Sequence, residues 1–155
     1  MKLRFVWVGK TRNASVKELI IQYLERVNKF GRVEIVELRD RTDVGSSIRA
    51  IIEKEGKDIL SRTAADGFIV ALDERGHELD SRSLARFIEK QRVAGTKQIT
   101  FVIGGHAGLS EEVKERADFV LALSRMTFTH ELARALLFEQ VYRAFTIIHD
   151  LPYQK

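Results

Sequence analysis

Three glycines follow an apolar run in the second half of the chain, and their spacing could form a small-molecule site. Gly104, Gly105 and Gly108 come directly after Ile99–Ile103, and a short helix with an acidic first turn is predicted from Ser110. Glycine lets the backbone approach a ligand closely. A strand that leads through such a turn into a helix lies at the carboxyl edge of a sheet, where open α/β folds usually bind small ligands. We therefore expect a site for a nucleotide-like molecule here.

A second apolar run, Phe119–Leu123, leads into a loop of mixed polar and apolar residues, Ser124–Thr129. If the two strands are neighbours, their loops share one pocket. The apolar neighbours then available to a ligand are Leu72, Leu123, Met126 and Phe128. A tight strand-to-helix turn that binds nothing fits the same spacing, so both interpretations stay open.

The glycine turn matches neither common phosphate-binding motif. A P-loop needs Gly-Lys-Ser/Thr because its lysine neutralises phosphates, and the segment Gly104–Ser110 contains no lysine. The dinucleotide fingerprint is G-x-G-x-x-G in the first strand unit, whereas this turn is G-G-x-x-G in the fourth. An adenosine-containing ligand without phosphates remains compatible with the turn.

The histidines could bind a metal or transfer a proton. His77, His106, His130 and His149 include no pair at i,i+4 spacing and no adjoining acidic cluster, so we expect no metal site. His130 and Arg134 lie one turn apart at a predicted helix start and could present a base and a cation together, although a cap and a surface pair are the commoner outcome. The order of residues alone assigns no Ser-His-Asp triad.

Composition limits the class of protein. A length of 155 residues, 45% hydrophobic and 31% charged, is typical of one soluble globular domain over residues 1–155. The 26 Lys and Arg against 22 Asp and Glu give a formal net charge of +4, which favours a polyanionic partner without establishing one. The absence of cysteine excludes a disulfide scaffold, a thiolate zinc site and a cysteine nucleophile. Leu3–Val8 is too short for a signal peptide or a membrane span, so we expect a cytoplasmic protein with no membrane association.

Strands must alternate with helices to position these residues. The predicted strands are Leu3–Val8, Val33–Leu38, Gly67–Leu72, Ile99–Ile103 and Phe119–Leu123. Because they are apolar at nearly every position, we expect an α/β fold with a mostly parallel sheet and helices on both faces. Asp73–Gly76 is predicted to turn the chain after the third strand.

Local signals place the helices. Ser15 and Glu18 have capping-box spacing at the start of the first helix. A second helix is predicted over Ile48–Leu60, interrupted near Gly56, and a third over about Ser81–Val93.

The last helix is predicted from His130 to about His149, and Glu139 and Arg143 have the spacing of an ion pair on it. Its predicted core positions are Leu132, Leu136, Val141, Ala144 and Phe145. The tail after it carries the only proline and Tyr153, and we expect that tail to dock.

Several segments together resemble the ribosomal RNA large subunit methyltransferase H family, the small SPOUT-class pseudouridine N3-methyltransferases: FVIGGHAGLS, LALSRMTFTHELAR, EQVYRAF and a short PY tail. The resemblance runs from LRFVWVGK through IEKEGKDIL and VALDERG to the end. It implies a single SPOUT domain with a C-terminal trefoil knot, an exception to the usual topology rules. It also implies a homodimer that uses S-adenosylmethionine to methylate N3 of a pseudouridine in 23S rRNA on assembled ribosomes.

The resemblance implies cofactor-binding positions at Leu72, Gly104, Leu123, Ser124, Arg125, Met126, Thr127 and Phe128. Candidates for orienting the base, binding a phosphate or accepting the N3 proton are His130, Arg134, Arg143 and Tyr153. In the family, the C-terminal tail of one protomer completes the site of the other. Gln154 stands where many relatives have histidine, so the base is not at that position, and Thr129 replaces a proline.

Two other functions remain open from the sequence. One is a non-catalytic basic RNA-binding or ribosome-associated module with the same fold. The other is a SPOUT methyltransferase that acts on tRNA. Saturable binding of S-adenosylmethionine separates an enzyme from the first, and methylation assays on 70S particles against free RNA decide the second.

Overall fold

The computed structural model describes residues 1–41, 47–63 and 67–154, except for the side chain of Gln154, so the prediction made for that side chain lies outside the described residues. The strands are β1 (Lys2–Val8), β2 (Val33–Leu38), β3 (Phe68–Glu78), β4 (Gln98–Ile103) and β5 (Phe119–Ala122). The helices are α1 (Ala14–Val27), α2 (Ile48–Leu60), α3 (Ser81–Val93), α4 (Glu111–Arg116) and α5 (His130–Ile148), followed by a short 3-10 helix, Pro152–Gln154.

The five strands form one parallel sheet in the order β2-β1-β4-β3-β5. Every residue of the central strand β4 is buried, because helices cover both faces of the sheet. The prediction of an α/β fold with a parallel sheet between two helical layers is confirmed. β4 and β5 are not neighbours, however, since β3 lies between them.

The two faces of the sheet build two separate cores. Successive strand residues point to opposite faces, so Phe5 packs on one side and Val6 on the other. On the first side, beneath α1, α3 and α5, the Phe5 ring stacks on Phe138 with centroids 4.1 Å apart and on Phe101 at 5.2 Å. The second core, beneath α2 and α4, is smaller and aliphatic. Among the residues that the structure describes, none of the helices combines the length and the apolar character needed to cross a membrane.

Two local helix predictions are wrong, each for a physical reason. Helix α1 begins earlier than the capping box of Ser15 and Glu18 because the Asn13 side chain already accepts a hydrogen bond from the Val16 amide at 3.0 Å. Helix α2 runs through Gly56 without a break.

Gly56 allows close packing between α2 and the start of α4. A Cβ built on Gly56 would lie 2.2 Å from the Ser110 hydroxyl oxygen, so no larger residue fits there. Ser110 is itself the N-cap of α4, with its side chain accepting from the Val113 amide. The glycine therefore fixes the distance between α2 and the segment that follows the glycine turn.

Strand β3 does not end at Asp73–Gly76 as predicted. It stays paired with β5 to Glu78 through a register shift in which Leu72 and His77 both pair with Leu121. Extra residues between two pairing positions form a bulge that redirects side chains. This bulge places acidic residues at the carboxyl edge of the sheet.

The buried face of α5 is rotated from the predicted one. Val141, Ala144 and Phe145 are buried as predicted, but Leu132 is 39% exposed and Leu136 is only half-buried. The remaining buried positions are Arg134, Ala135, Leu137, Phe138 and Thr146. The first turn of α5 crosses the carboxyl end of β1, and this crossing decides which side of the helix faces inward.

Candidate active site

The bulge of β3 and the segments after β4 and β5 meet at the carboxyl edge of the sheet and enclose a cavity of about 440 Å³ with the start of α5. A cavity of this size is typical for small-molecule ligands. The cavity lining includes seven of the eight predicted cofactor positions: Leu72, Gly104, Leu123, Ser124, Met126, Thr127 and Phe128. The shared pocket forms although β4 and β5 are not adjacent, because the bulged end of β3 supplies the wall between them.

The glycine turn has no room for a side chain at its first position. A Cβ on Gly104 would lie 2.4 Å from the carbonyl carbon and oxygen of Gly108. The turn closes with a hydrogen bond from the Gly108 amide to the Gly105 carbonyl at 3.1 Å, and Gly108 has a φ of +86°, a region that favours glycine. The backbone of this turn therefore forms one wall of the cavity.

The loop after β5 is held against the bulge of β3. The Ser124 hydroxyl accepts a hydrogen bond from the Met126 amide at 3.0 Å, and the Thr127 hydroxyl donates to the Glu74 carboxylate. Arg125, the eighth predicted cofactor position, lies outside the cavity lining. Its guanidinium binds Glu78 Oε2 at 3.1 Å and the Glu74 carbonyl at 3.3 Å. Arg125 therefore fastens the loop to β3.

His130 begins α5 and lines the cavity. The helix is capped by Thr129, whose hydroxyl accepts from the Leu132 amide at 3.3 Å. Partial burial, and then the nearby charge of Arg134, lower the pKa of His130. A lowered pKa favours the neutral imidazole, which can accept a proton.

Arg134 does not form the expected surface pair with His130. It is fully buried, and its guanidinium donates to the Val8 carbonyl at 2.6 Å and to the Thr11 hydroxyl at 2.8 Å. It also lies over the Trp7 ring, 5.1 Å from the centroid. Burial lowers the pKa of Arg134 to about 10, so the side chain stays charged at neutral pH. It supports the first turn of α5 from behind the cavity.

Arg143 lies toward the other end of α5, about 20 Å from His130 at about 1.5 Å per residue, and the tail folds back so that Tyr153 packs beside Arg143. Arg143 forms the predicted ion pair with Glu139, at 2.6 Å. The Tyr153 hydroxyl lies 3.0 Å from the Tyr23 hydroxyl and donates to Glu139 at 3.2 Å. The predicted docking of the tail is confirmed. Within one chain, however, the structure does not bring Arg143 or Tyr153 to the cavity.

Sequence reasoning missed three acidic residues around the site. Asp73 and Glu74 line the cavity, whereas the sequence predicts only a turn at these residues. Glu131, in the first turn of α5, accepts hydrogen bonds from the Arg12 amide at 3.1 Å and the Asn13 amide at 2.9 Å. A signal existed for the first two, because acidic residues directly after a buried strand lie at the ligand-binding edge. Over the described ranges, no cluster of three or more His, Asp or Glu side chains is placed to hold a metal ion.

The sequence and the fold are similar to those of known proteins. A family model described as a predicted SPOUT methyltransferase matches residues 1–154, which defines the class as a SPOUT methyltransferase. The chain is 44% identical over 153 residues to the ribosomal RNA large subunit methyltransferase H of Trichlorobacter lovleyi, covering 99% of both chains. It is 41% identical over 159 residues to the protein of that name from Carboxydothermus hydrogenoformans, covering all of both. The chain belongs to the ribosomal RNA large subunit methyltransferase H family.

A solved structure agrees at the level of the fold. The crystal structure of a probable methyltransferase from Bordetella pertussis matches with a TM-score of 0.55 at 16% identity, covering 92% of this chain and 95% of that one. At this identity the likeness concerns the fold alone.

Proposed function

We propose that this protein binds S-adenosylmethionine in the cavity and methylates N3 of a pseudouridine in 23S rRNA within the assembled ribosome. The chemistry of the cavity lining carries the proposal. Asp73, Glu74, His106 and His130 line it, and among the described lining residues there is no lysine or arginine. A lining of this kind repels phosphates and attracts a cation, and S-adenosylmethionine is a sulfonium cation that carries adenosine without phosphates.

The shape and lining fit that cofactor. Leu72, Leu123 and Phe128 supply apolar surface of the kind that ligand pockets use to bury a nucleoside. The glycine turn supplies backbone polar groups, and the absence of a side chain at Gly104 lets the turn close tightly against Gly108. Arg125 contributes by holding the loop after β5 in place. These residues would hold the cofactor, which when bound supplies an electrophilic methyl group.

The residues of the chain then position the base and remove its proton. Holding two reactants in line accounts for most of the catalysis expected for such a transfer. The imide proton at N3 must leave, and His130 is the proton acceptor because its imidazole is neutral and lines the cavity. Arg134 acts as a positioning residue for the first turn of α5, since its guanidinium is occupied by Val8 and Thr11.

A homodimer supplies the part of the site that one chain lacks. Arg143 and Tyr153 are held together at the far end of α5, where the Arg143 guanidinium lies 4.8 Å from the centre of the Tyr153 ring. Exposed apolar side chains lie on the same elements, α1, α5 and the tail: Leu19, Ile21, Leu132 and Leu151. A second copy that covers this surface would bury these side chains and bring its tail cluster toward the cavity.

We further propose that residues 1–155 form one SPOUT domain with a C-terminal trefoil knot. β5 is the edge strand, yet α5 starts against the end of β1, so the connection between them crosses the ends of β3 and β4. On its way this connection is fastened to the bulge of β3 through Arg125 and Thr127. This path supports the passage of α5 through an earlier loop.

Calorimetry and methylation assays test the proposed function. We expect saturable binding of S-adenosylmethionine, and methylation of 70S particles in preference to free 23S rRNA or tRNA. Mass mapping of 23S rRNA from cells without the protein should reveal the loss of one pseudouridine methyl group. Absence of cofactor binding would leave a basic RNA-binding module, and preferential methylation of tRNA would replace the substrate.

A further inference from the structure

A buried glutamate lies directly behind the glycine turn. Glu55, on α2, is only 2% exposed. A Cβ built on Gly105 would lie 3.1 Å from Glu55 Oε2, so the carboxyl group packs against a residue that lines the cavity. Nothing in the catalytic scheme above uses this carboxyl group.

The surroundings of Glu55 disfavour its negative charge. Oε1 accepts one hydrogen bond, from the Arg41 amide at 3.2 Å, and Oε2 has no hydrogen-bond partner among the described residues. Burial, together with the charges of Asp40 and Asp58, raises the pKa of Glu55, while the Arg41 amide and His106 oppose the rise. A carboxyl group with a raised pKa destabilises the fold above its ordinary pKa. Residues that cost stability in this way are expected at functional sites.

The single hydrogen bond does not require a charge. A glutamine at position 55 would keep an oxygen for the Arg41 amide and would bury no charge. The hydrogen bond from the Arg41 amide therefore explains why residue 55 has an acceptor, but it does not explain why that acceptor is a carboxylate. An ionised carboxylate at this position would act electrostatically on the neighbouring cavity, which lies on the other side of Gly105.

We propose that Glu55 is a specificity-determining residue whose negative charge makes the cavity favour a cationic ligand over its neutral counterpart. This inference rests on the proposed function: methyl transfer converts the sulfonium of S-adenosylmethionine into the neutral thioether of S-adenosylhomocysteine. The attraction across Gly105 is then lost, and the product leaves more easily than the cofactor.

The other acidic groups near the cavity contribute less to the preference for a cationic ligand over a neutral one. Asp73 is paired with Lys114 at 3.5 Å, and Glu74 is exposed and accepts a hydrogen bond from Thr127. Solvent and opposite charges screen both carboxylates. Among the described residues, no group lies within hydrogen-bond distance of Oε2 of the buried Glu55 to give such compensation. A charge in low-dielectric surroundings acts over a longer distance than an exposed one.

The test compares Glu55→Gln with the wild type by calorimetry and thermal unfolding, using S-adenosylmethionine and S-adenosylhomocysteine separately. We expect the variant to bind S-adenosylmethionine about five- to tenfold more weakly, with binding of S-adenosylhomocysteine unchanged within about twofold. Because the buried charge is removed while the acceptor is kept, the melting temperature should rise by roughly 2–4 °C. Glu53→Gln is the matched control, because it makes the same change on α2 at an exposed residue paired with Arg49. It should alter neither the ratio of the affinities for S-adenosylmethionine and S-adenosylhomocysteine nor the melting temperature.

Each outcome decides the question. Equal weakening of both ligands, or a melting temperature that falls, would mean that Glu55 is only structural, and an unchanged ratio of affinities would also overturn the proposal. Glu55→Asp supplies a second measurement, because it keeps the charge but withdraws it from Gly105, and its loss of preference should be smaller than that of Glu55→Gln. Failure of the wild type to bind either ligand would instead overturn the proposed function.

Discussion

The guanidinium of Arg134 lies 2.6 Å from the carbonyl oxygen of Val8, and this hydrogen bond joins the final helix to the end of the first strand. The same guanidinium binds the Thr11 hydroxyl, and Glu131 holds the amides of Arg12 and Asn13. The first turn of α5 is therefore hydrogen-bonded to the connection between β1 and α1 at Thr11, Arg12 and Asn13. His130 stands in that turn, so its position over the cavity depends on contacts made more than a hundred residues earlier in the chain.

Replacing Arg134 by methionine should destabilise the protein by about 3 kcal/mol, because the Val8 carbonyl and the Thr11 hydroxyl lose their buried donors. Thermal and urea unfolding measure this loss. Arg86→Met on the exposed side of α3 is the control and should change stability by less than about 0.5 kcal/mol. Unchanged stability with lost methylation would instead make Arg134 a direct participant in catalysis.

Replacing His130 by glutamine should slow methyl transfer by about 10²-fold or more, while cofactor binding changes by less than about threefold. Single-turnover methylation and calorimetry separate these two quantities. Loss of cofactor binding in proportion to activity would assign His130 to binding alone.

The pH dependence of turnover should follow the same histidine. Since burial and Arg134 lower the pKa of His130 below its ordinary 6.5, the neutral base persists into mildly acidic solution. Activity should therefore fall only below pH 6.5, and the acidic limb should disappear in the glutamine variant. The histidine's contribution to stability has the same sign: it is complete above pH 6.5 and is lost as the pH falls through the lowered pKa.

Replacing Gly104 by valine should abolish binding of S-adenosylmethionine, because even a Cβ would lie 2.4 Å from the backbone of Gly108 and force the turn open. Calorimetry measures the binding, and circular dichroism checks the fold. Gly95→Asn is the control: Gly95 has a φ of +79° that asparagine tolerates, and apart from its chain neighbours no described residue comes within 4 Å of an added Cβ. Binding of normal affinity by the valine variant would exclude the glycine turn from the cofactor site.

Deleting the residues after Asp150 should abolish methylation and spare cofactor binding, since Tyr153 lies far from the cavity of its own chain. Mixing this deletion with the His130→Gln variant tests the shared site. In a mixed dimer one site receives His130 from one subunit and the tail from the other, so activity should recover to about a quarter of the wild type. No recovery of activity in mixtures in which the two variants form mixed dimers would show that each chain uses its own tail.

The sequence by itself determined the alternation of strands and helices, and it predicted the carboxyl edge of the sheet as the ligand-binding edge. The apolar runs of β1 and β4 predict strands because a strand buried on both faces must be apolar nearly throughout. Gly104, Gly105 and Gly108 predict a turn because glycine adopts the backbone conformations that tight turns require. Seven of the eight predicted cofactor positions line one cavity because parallel strands present all their carboxyl ends at the same edge.

Only the tertiary structure decided which partners those residues meet. The register shift of β3, which brings Asp73 and Glu74 to the cavity, depends on pairing with β5, some 45 residues later in the chain. Arg134 and His130 share one helical turn, yet the crossing of α5 over β1 buries the first and leaves the second at the cavity. Local patterns cannot encode this difference, because it is set by contacts between distant segments. For the same reason Glu55 is an ordinary helical glutamate in the sequence and becomes a buried carboxyl group only when α2 packs behind the glycine turn.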